Sequence, residues 1–138
     1  MCTSVDDVIF YNTKTILNDS GILCPIESGE DVPFDIKRVF YVYGVDNRET
    51  RGRHAHHKTK QLLICLSGKV EVVCKDKTKS IKFLLESPQQ ALYIPEMIWD
   101  EQVYYTESAV MLVLSSTLYD PIDYIHDFEE FKRLKESM

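Results

Sequence analysis

Positive charge is in short supply in this sequence: 16 Lys and Arg stand against 22 Asp and Glu, for a formal net charge of −6. Affinity for duplex nucleic acid is built largely from Lys and Arg on phosphates, so this balance argues against a duplex-binding surface, though it leaves room for a local basic pocket. The four cysteines, Cys2, Cys24, Cys65 and Cys74, have no C-x-x-C spacing, and two of them sit inside apolar runs. Neither a disulfide framework nor a zinc knuckle is expected. The stretch MCTSVDDVIFYN has neither the basic start nor the apolar core of a secretory signal, and no apolar run approaches the length of a membrane span. A reducing cytoplasm is the expected address. No repeat, low-complexity tract or linker divides the 138 residues, which reads as one domain, 1–138, with a genuine core.

What is present is a succession of short segments rich in β-branched and aromatic residues, separated by turn chemistry at intervals typical of sandwiches and barrels. Strands are expected at Val8 to Tyr11, Ile22 to Ile26, Arg38 to Tyr43, Gln61 to Leu66, Val70 to Cys74, Ser80 to Leu85, Ala91 to Ile94, Trp99 to Tyr105 and Ala109 to Ser115. The Ser67-Gly68 turn predicts a hairpin between the fourth and fifth of these. GVDNRETRG, before them, reads as a polar loop. Only PIDYIHDFEEFKRLKESM carries helical spacing, with Ile125, Phe128, Phe131 and Leu134 each three residues apart. Nothing in the middle is long or helical enough to cross over parallel strands. The fold class is therefore all-β: an antiparallel barrel with a short C-terminal helix.

The stretch RGRHAHHKTKQLLICLSG, Arg51 to Gly68, carries the chemistry. In a strand, side chains alternate between faces, so His54 and His56 point one way and Arg53 and Ala55 the other. With Gln61 and Gly68 they reproduce the spacing of the first cupin motif, H-x-H-x4-E-x6-G, Gln replacing Glu. Pro95 to Asp100 fits the second motif, P-x-G-x-x-H, with Met97 for its glycine and Asp100 for its histidine. Such positions ligate a divalent ion in metal-binding cupins, but a neutral amide at Gln61 is a poor ligand, so a tightly held metal is not expected here.

Four phrases, PFDIKRVFYVY, RGRHAHHKTKQLLICLSG, LYIPEMIWDE and VLSSTLYDPIDYIHDFEEF, resemble in order and spacing the cupin-fold sugar 3,4-ketoisomerases that act on dTDP-4-keto-6-deoxyglucose. The resemblance implies a jelly-roll barrel, a homodimer with exchanged N-terminal strands, no cofactor and no metal. It also implies a reaction in which loss of a proton beside the ketone gives an enediol and the carbonyl moves from C4 to C3, for 3-amino-sugar biosynthesis.

That chemistry needs a group that accepts and donates protons near neutrality, which imidazole does. His54 is assigned as principal acid/base at C3 and His56 as its neighbour that orients the sugar or relays a proton; the two roles could be exchanged. Arg51 and Arg38 are the candidate clamps for a diphosphate. Tyr41 or Tyr43 could donate a hydroxyl to the enediolate. Alternation, however, sets both tyrosines opposite Arg38 and Phe40, so all cannot line one cavity without a bulge. Asp100 and Ser20 stand where the family usually has other residues, Arg or His at the first and Arg or Tyr at the second; both bear on the C4 configuration of the product, which is left open. His57 and His126 read as surface or structural residues, and Trp99 as core. The other functional readings are another cupin enzyme, either a nucleotide-sugar epimerase or a metal-dependent one, and a non-catalytic nucleotide-sugar-binding module.

Overall fold

The alternating apolar segments form strands, and their two faces decide how the sheets stack. A computed structural model describes residues 2–138. The strands are β1 (Ile9–Asn12), β2 (Ile16–Asn18), β3 (Gly21–Leu23), β4 (Arg38–Val42), β5 (Thr50–His56), β6 (Gln61–Ser67), β7 (Val70–Lys75), β8 (Ser80–Leu85), β9 (Gln90–Ile94), β10 (Trp99–Tyr104), β11 (Val110–Ser115) and β12 (Tyr124–Ile125), followed by helix α1 (Phe128–Glu136). One five-stranded sheet has the order β1-β9-β6-β11-β4 and the other β12-β5-β10-β7-β8, all pairs antiparallel; β2 and β3 form a separate hairpin.

Leu63, Cys65, Leu92 and Met111 from the first sheet meet Val70, Val72, Cys74, Leu85 and Tyr104 from the second in one buried core. The outer faces are covered as well. Val32 and Phe34, in the segment before β4, pack on Leu62, Ile64 and Tyr93, which is why QLLIC is apolar without alternation. On the other side, Phe131 of α1 packs with Ala55, Met97, Trp99 and Ile125, which makes Trp99 a core residue as expected.

Three sequence expectations change. The chain between β6 and β7 does not form a hairpin: β6 pairs with β9 and β11, β7 with β8 and β10, so Gly68 turns the chain from one sheet to the other. Gly68 has φ +78°, and a Cβ there would lie 2.2 Å from Thr106 Oγ1, so a side chain would block the corner. The stretch read as a polar loop ends in a strand, β5. Finally, the C-terminal stretch opens with a 3-10 turn at Pro121–Asp123, and its α-helix begins only at Phe128, where Asp127 caps it by accepting a hydrogen bond from Glu129 N–H at 3.1 Å; Ile125 belongs instead to β12, paired with Ala55.

Candidate active site

Strand β5 departs from regular alternation at one place, and that departure builds the site. Opposite β10 the register runs Asp100 with His54, then Glu101 with Gly52 and Gln102 with Arg51, so Arg53 is a surplus residue in a bulge. Gly52 and Arg53 both take positive φ, +87° and +55°. Strict alternation would put Arg51 opposite His54; the bulge brings both to one face. Glycine suits position 52 because a Cβ there would also lie 3.3 Å from the Asp100 carbonyl oxygen.

That face looks into a cavity of about 390 Å³. β4 supplies Arg38, Phe40 and Val42, β5 supplies Arg51, Gly52 and His54, and single residues come from β6 (Gln61), β10 (Gln102) and β11 (Val113). The C-terminal segment closes it with Tyr119, Pro121, Tyr124 and His126. The Arg38 guanidinium lies 4.5 Å from the Phe40 ring centre and 5.0 Å from that of Tyr119, which fixes a cation at the wall.

The two imidazoles have different surroundings. The His54 ring lines the cavity, with Nδ1 3.1 Å from the Gly52 carbonyl oxygen. A carbonyl only accepts, so Nδ1 is the donor of this contact and Nε2 is the nitrogen left to exchange protons. His56 is 6% exposed and sits against the wall residues, its ring centre 5.0 Å from His54 and 4.4 Å from Tyr124. Its Nδ1 donates to Asp123 Oδ2 at 3.2 Å, while its Nε2 is buried without a hydrogen-bond partner. A buried polar atom left unpaired typically costs about 1–3 kcal/mol. Burial, and next the neighbouring His54, push His56 down to about 4 against the pull of Asp123, so it is neutral at physiological pH.

Asp123 is pushed up by burial but held lower by the Thr59 hydroxyl, the Lys58 N–H and His56, with a net position below the usual carboxylate range. Asp100 moves the other way: burial raises it, opposed by His54 and by the Gln102 amide, which donates to Oδ2 at 3.1 Å.

The residues singled out from sequence therefore divide. His54, Arg38, Arg51 and Gln61 come together at the cavity, and His56 and Asp100 lie buried beside it. Tyr41 and Tyr43 do not: they are 63% and 70% exposed on the outer face of the β4 segment, stacked on each other, because no bulge interrupts that strand. Ser20 lies in the turn of the β2–β3 hairpin, outside the cavity wall. His126, read as structural or surface, lines the cavity instead, stacked on Tyr124. Gln102 was legible as the same-face neighbour of Asp100; Asp123, 67 residues beyond His56, carried no local signal. Among the described residues, no group of three or more His, Cys, Asp or Glu is arranged to hold a metal ion.

Residues 6–136 match the family model described as FdtA: WxcM-like, C-terminal. The chain belongs to this family. An FdtA-family relative from Aneurinibacillus thermoaerophilus, named TDP-4-oxo-6-deoxy-alpha-D-glucose-3,4-oxoisomerase, is 38% identical over 122 residues, 88% of each chain. The sugar 3,4-ketoisomerase QdtA of Thermoanaerobacterium thermosaccharolyticum, solved in complex with TDP, superposes with a TM-score of 0.91 at 40% identity, covering 95% of this chain and 96% of that one. WlaRB of Campylobacter jejuni, a TDP-quinovose 3,4-ketoisomerase, gives 0.89 at 35% identity over 92% and 98%. The FdtA fold is thus the jelly-roll, cupin-like barrel with its one C-terminal helix.

Proposed function

We propose that this protein is a nucleotide-sugar 3,4-ketoisomerase that converts dTDP-4-keto-6-deoxyglucose to a 3-keto-6-deoxyhexose. The observation that carries the reading is the His54 ring, which lines the cavity with its Nδ1 on the Gly52 carbonyl oxygen and so leaves Nε2 as the nitrogen to handle a proton. The names and identities of the FdtA-family relatives support it.

The isomerisation moves one proton from C3 to C4 and another from O3 to O4, with no net redox change. His54 takes the C3 proton and, after exchange with solvent, delivers a proton to C4. One general acid/base of this kind typically contributes roughly 10²–10⁴ in rate. Arg38 and Arg51 neutralise the diphosphate, and Gln61 and Gln102 hydrogen-bond the sugar. Asp100, buried beside His54, acts on C4 through its effect on that imidazole.

A homodimer with exchanged N-terminal strands is the assembly we propose. The β2–β3 hairpin exposes Leu17 (70%) and Ile22 (59%), and the outer face of β4 exposes Val39, more apolar surface than an isolated hairpin normally leaves in water. Equilibrium sedimentation giving a monomer at micromolar concentration would refute it.

The decisive experiment incubates the protein with dTDP-4-keto-6-deoxyglucose in deuterated water and follows it by NMR. The expected result is a 3-keto product with solvent deuterium, whose coupling constants also give the C4 configuration. Folded protein that leaves C3 unexchanged and the carbonyl at C4 overturns the reading.

A further inference from the structure

The group that sets His56 lies in the VLSSTLYDPIDYIHDFEEF phrase, where the sequence alone assigns it no role. We propose that Asp123 is a positioning residue of the ketoisomerase reaction, holding His56 as the Nδ1–H tautomer so that its Nε2 lone pair serves as a fixed acceptor for the hydroxyl on C3. This rests on the ketoisomerase reading and names a second base for it.

Three observations converge. Asp123 Oδ2 lies 3.2 Å from His56 Nδ1, and a carboxylate only accepts, so the hydrogen belongs to Nδ1. The carboxylate is itself locked: Oδ1 accepts from Lys58 N–H at 2.9 Å, and Oδ2 from Thr59 N–H at 3.2 Å and from the Thr59 hydroxyl. Its direction is therefore set by the turn between β5 and β6, and it cannot swing away from the ring. Third, His56 Nε2 is buried and has no hydrogen-bond partner among the described residues. Buried polar atoms are nearly always paired, and one left open beside a cavity is explained by a ligand group that completes it.

The chemistry says which group. As the carbonyl moves to C3, the C3 carbon loses a proton to His54 and its hydroxyl must lose a proton too, which ends on O4. The two protons are lost from adjacent atoms, C3 and its oxygen, so their acceptors must be neighbours. The two rings are 5.0 Å apart and nearly perpendicular, at 86°. A neutral imidazole with an open Nε2 accepts the O3–H hydrogen bond and can draw off that proton; the other tautomer presents N–H, which cannot accept it.

The tests are Asp123→Asn and Thr59→Val in the full chain. Asn can turn its amide to the ring and donate to Nδ1, which inverts the tautomer. In the parent, nitrogen-15 NMR is expected to show His56 neutral with hydrogen on Nδ1. In Asp123→Asn the hydrogen moves to Nε2, and kcat falls on the order of 100-fold while KM changes less than about threefold. Thr59→Val removes one tether of the carboxylate but leaves its two backbone N–H donors and the His56 contact, so the hydrogen stays on Nδ1 and kcat falls by less than in Asp123→Asn. The proposal is overturned if parental His56 carries its hydrogen on Nε2, or if folded Asp123→Asn matches the parent in kcat. Should Asp123→Asn not fold, the parent's tautomer still decides. A parent that does not isomerise the sugar at all defeats the functional reading instead, before any variant is made.

Discussion

The two ends of the barrel interior are built from the same strands and differ in what their inward rows carry. Along β6 the inward row runs Gln61, Leu63, Cys65; along β11 it runs Ser115, Val113, Met111; along β4 it runs Arg38, Phe40, Val42. At one end these rows meet Val70, Val72, Leu85 and Tyr104 and leave no room for a ligand; at the other they end in polar groups around the cavity. The apolar end has no chemistry and holds the frame. The polar end contributes little packing and depends on that frame for the placement of its groups. The two should therefore respond to mutation in opposite ways.

The sharpest way to break this contrast is His54→Asn. Its shape is nearly conserved and its ring is not part of the core, so the melting temperature should hold while turnover falls roughly 10²–10⁴-fold. A variant that loses stability along with activity would show that the polar end is also structural. Leu63→Ala probes the other end. Fully buried between the sheets, it should cost about 2–5 kcal/mol in urea unfolding and leave kcat per folded molecule close to the parent's. A matching loss of kcat with little destabilisation would undo the division.

Acid probes where the two ends join. His56 takes its proton near pH 4 in the fold and near 6.5 when unfolded, so the unfolded chain binds more protons between those values. Stability is full above about pH 6.5 and falls as the pH drops toward 4, by on the order of 3 kcal/mol from this residue. Asp123, held low in the fold, adds a loss of the same sign at still lower pH. Urea midpoints that stay flat from pH 7 to 4 would contradict the burial of a neutral His56.

Much of this arrangement was legible in the residues. Apart from β5, whose start was read as loop, the strands from Arg38 to Ser115 announced themselves because one face of each is apolar, and the spacing from His54 to Gly68 marked the mouth of the barrel. Three things escaped, each for a physical reason. The β6–β7 corner looks like a hairpin turn because only long-range contact with Thr106 and Ala109 decides where the chain goes next. The roles of Tyr41 and Tyr43 depended on whether β4 was bulged, which side-chain chemistry does not reveal. Asp123, Tyr124 and His126 lie in a segment whose apolar spacing suggests helix, but capping by Asp127 delays the helix and leaves Tyr124 and Ile125 to pair with β5.

The bulge at Arg53 has a further consequence for how this site can change. The residues before and after it in β5 are out of phase by one position, so the strand contains two independently set half-strands joined by a single hinge residue. Arg53→Val, whose β-branched side chain resists positive φ, would press position 53 into the ladder and turn Arg51 away from His54, separating the charge that holds a phosphate from the base that moves a proton. A single substitution there thus uncouples affinity from turnover without altering any residue that lines the cavity.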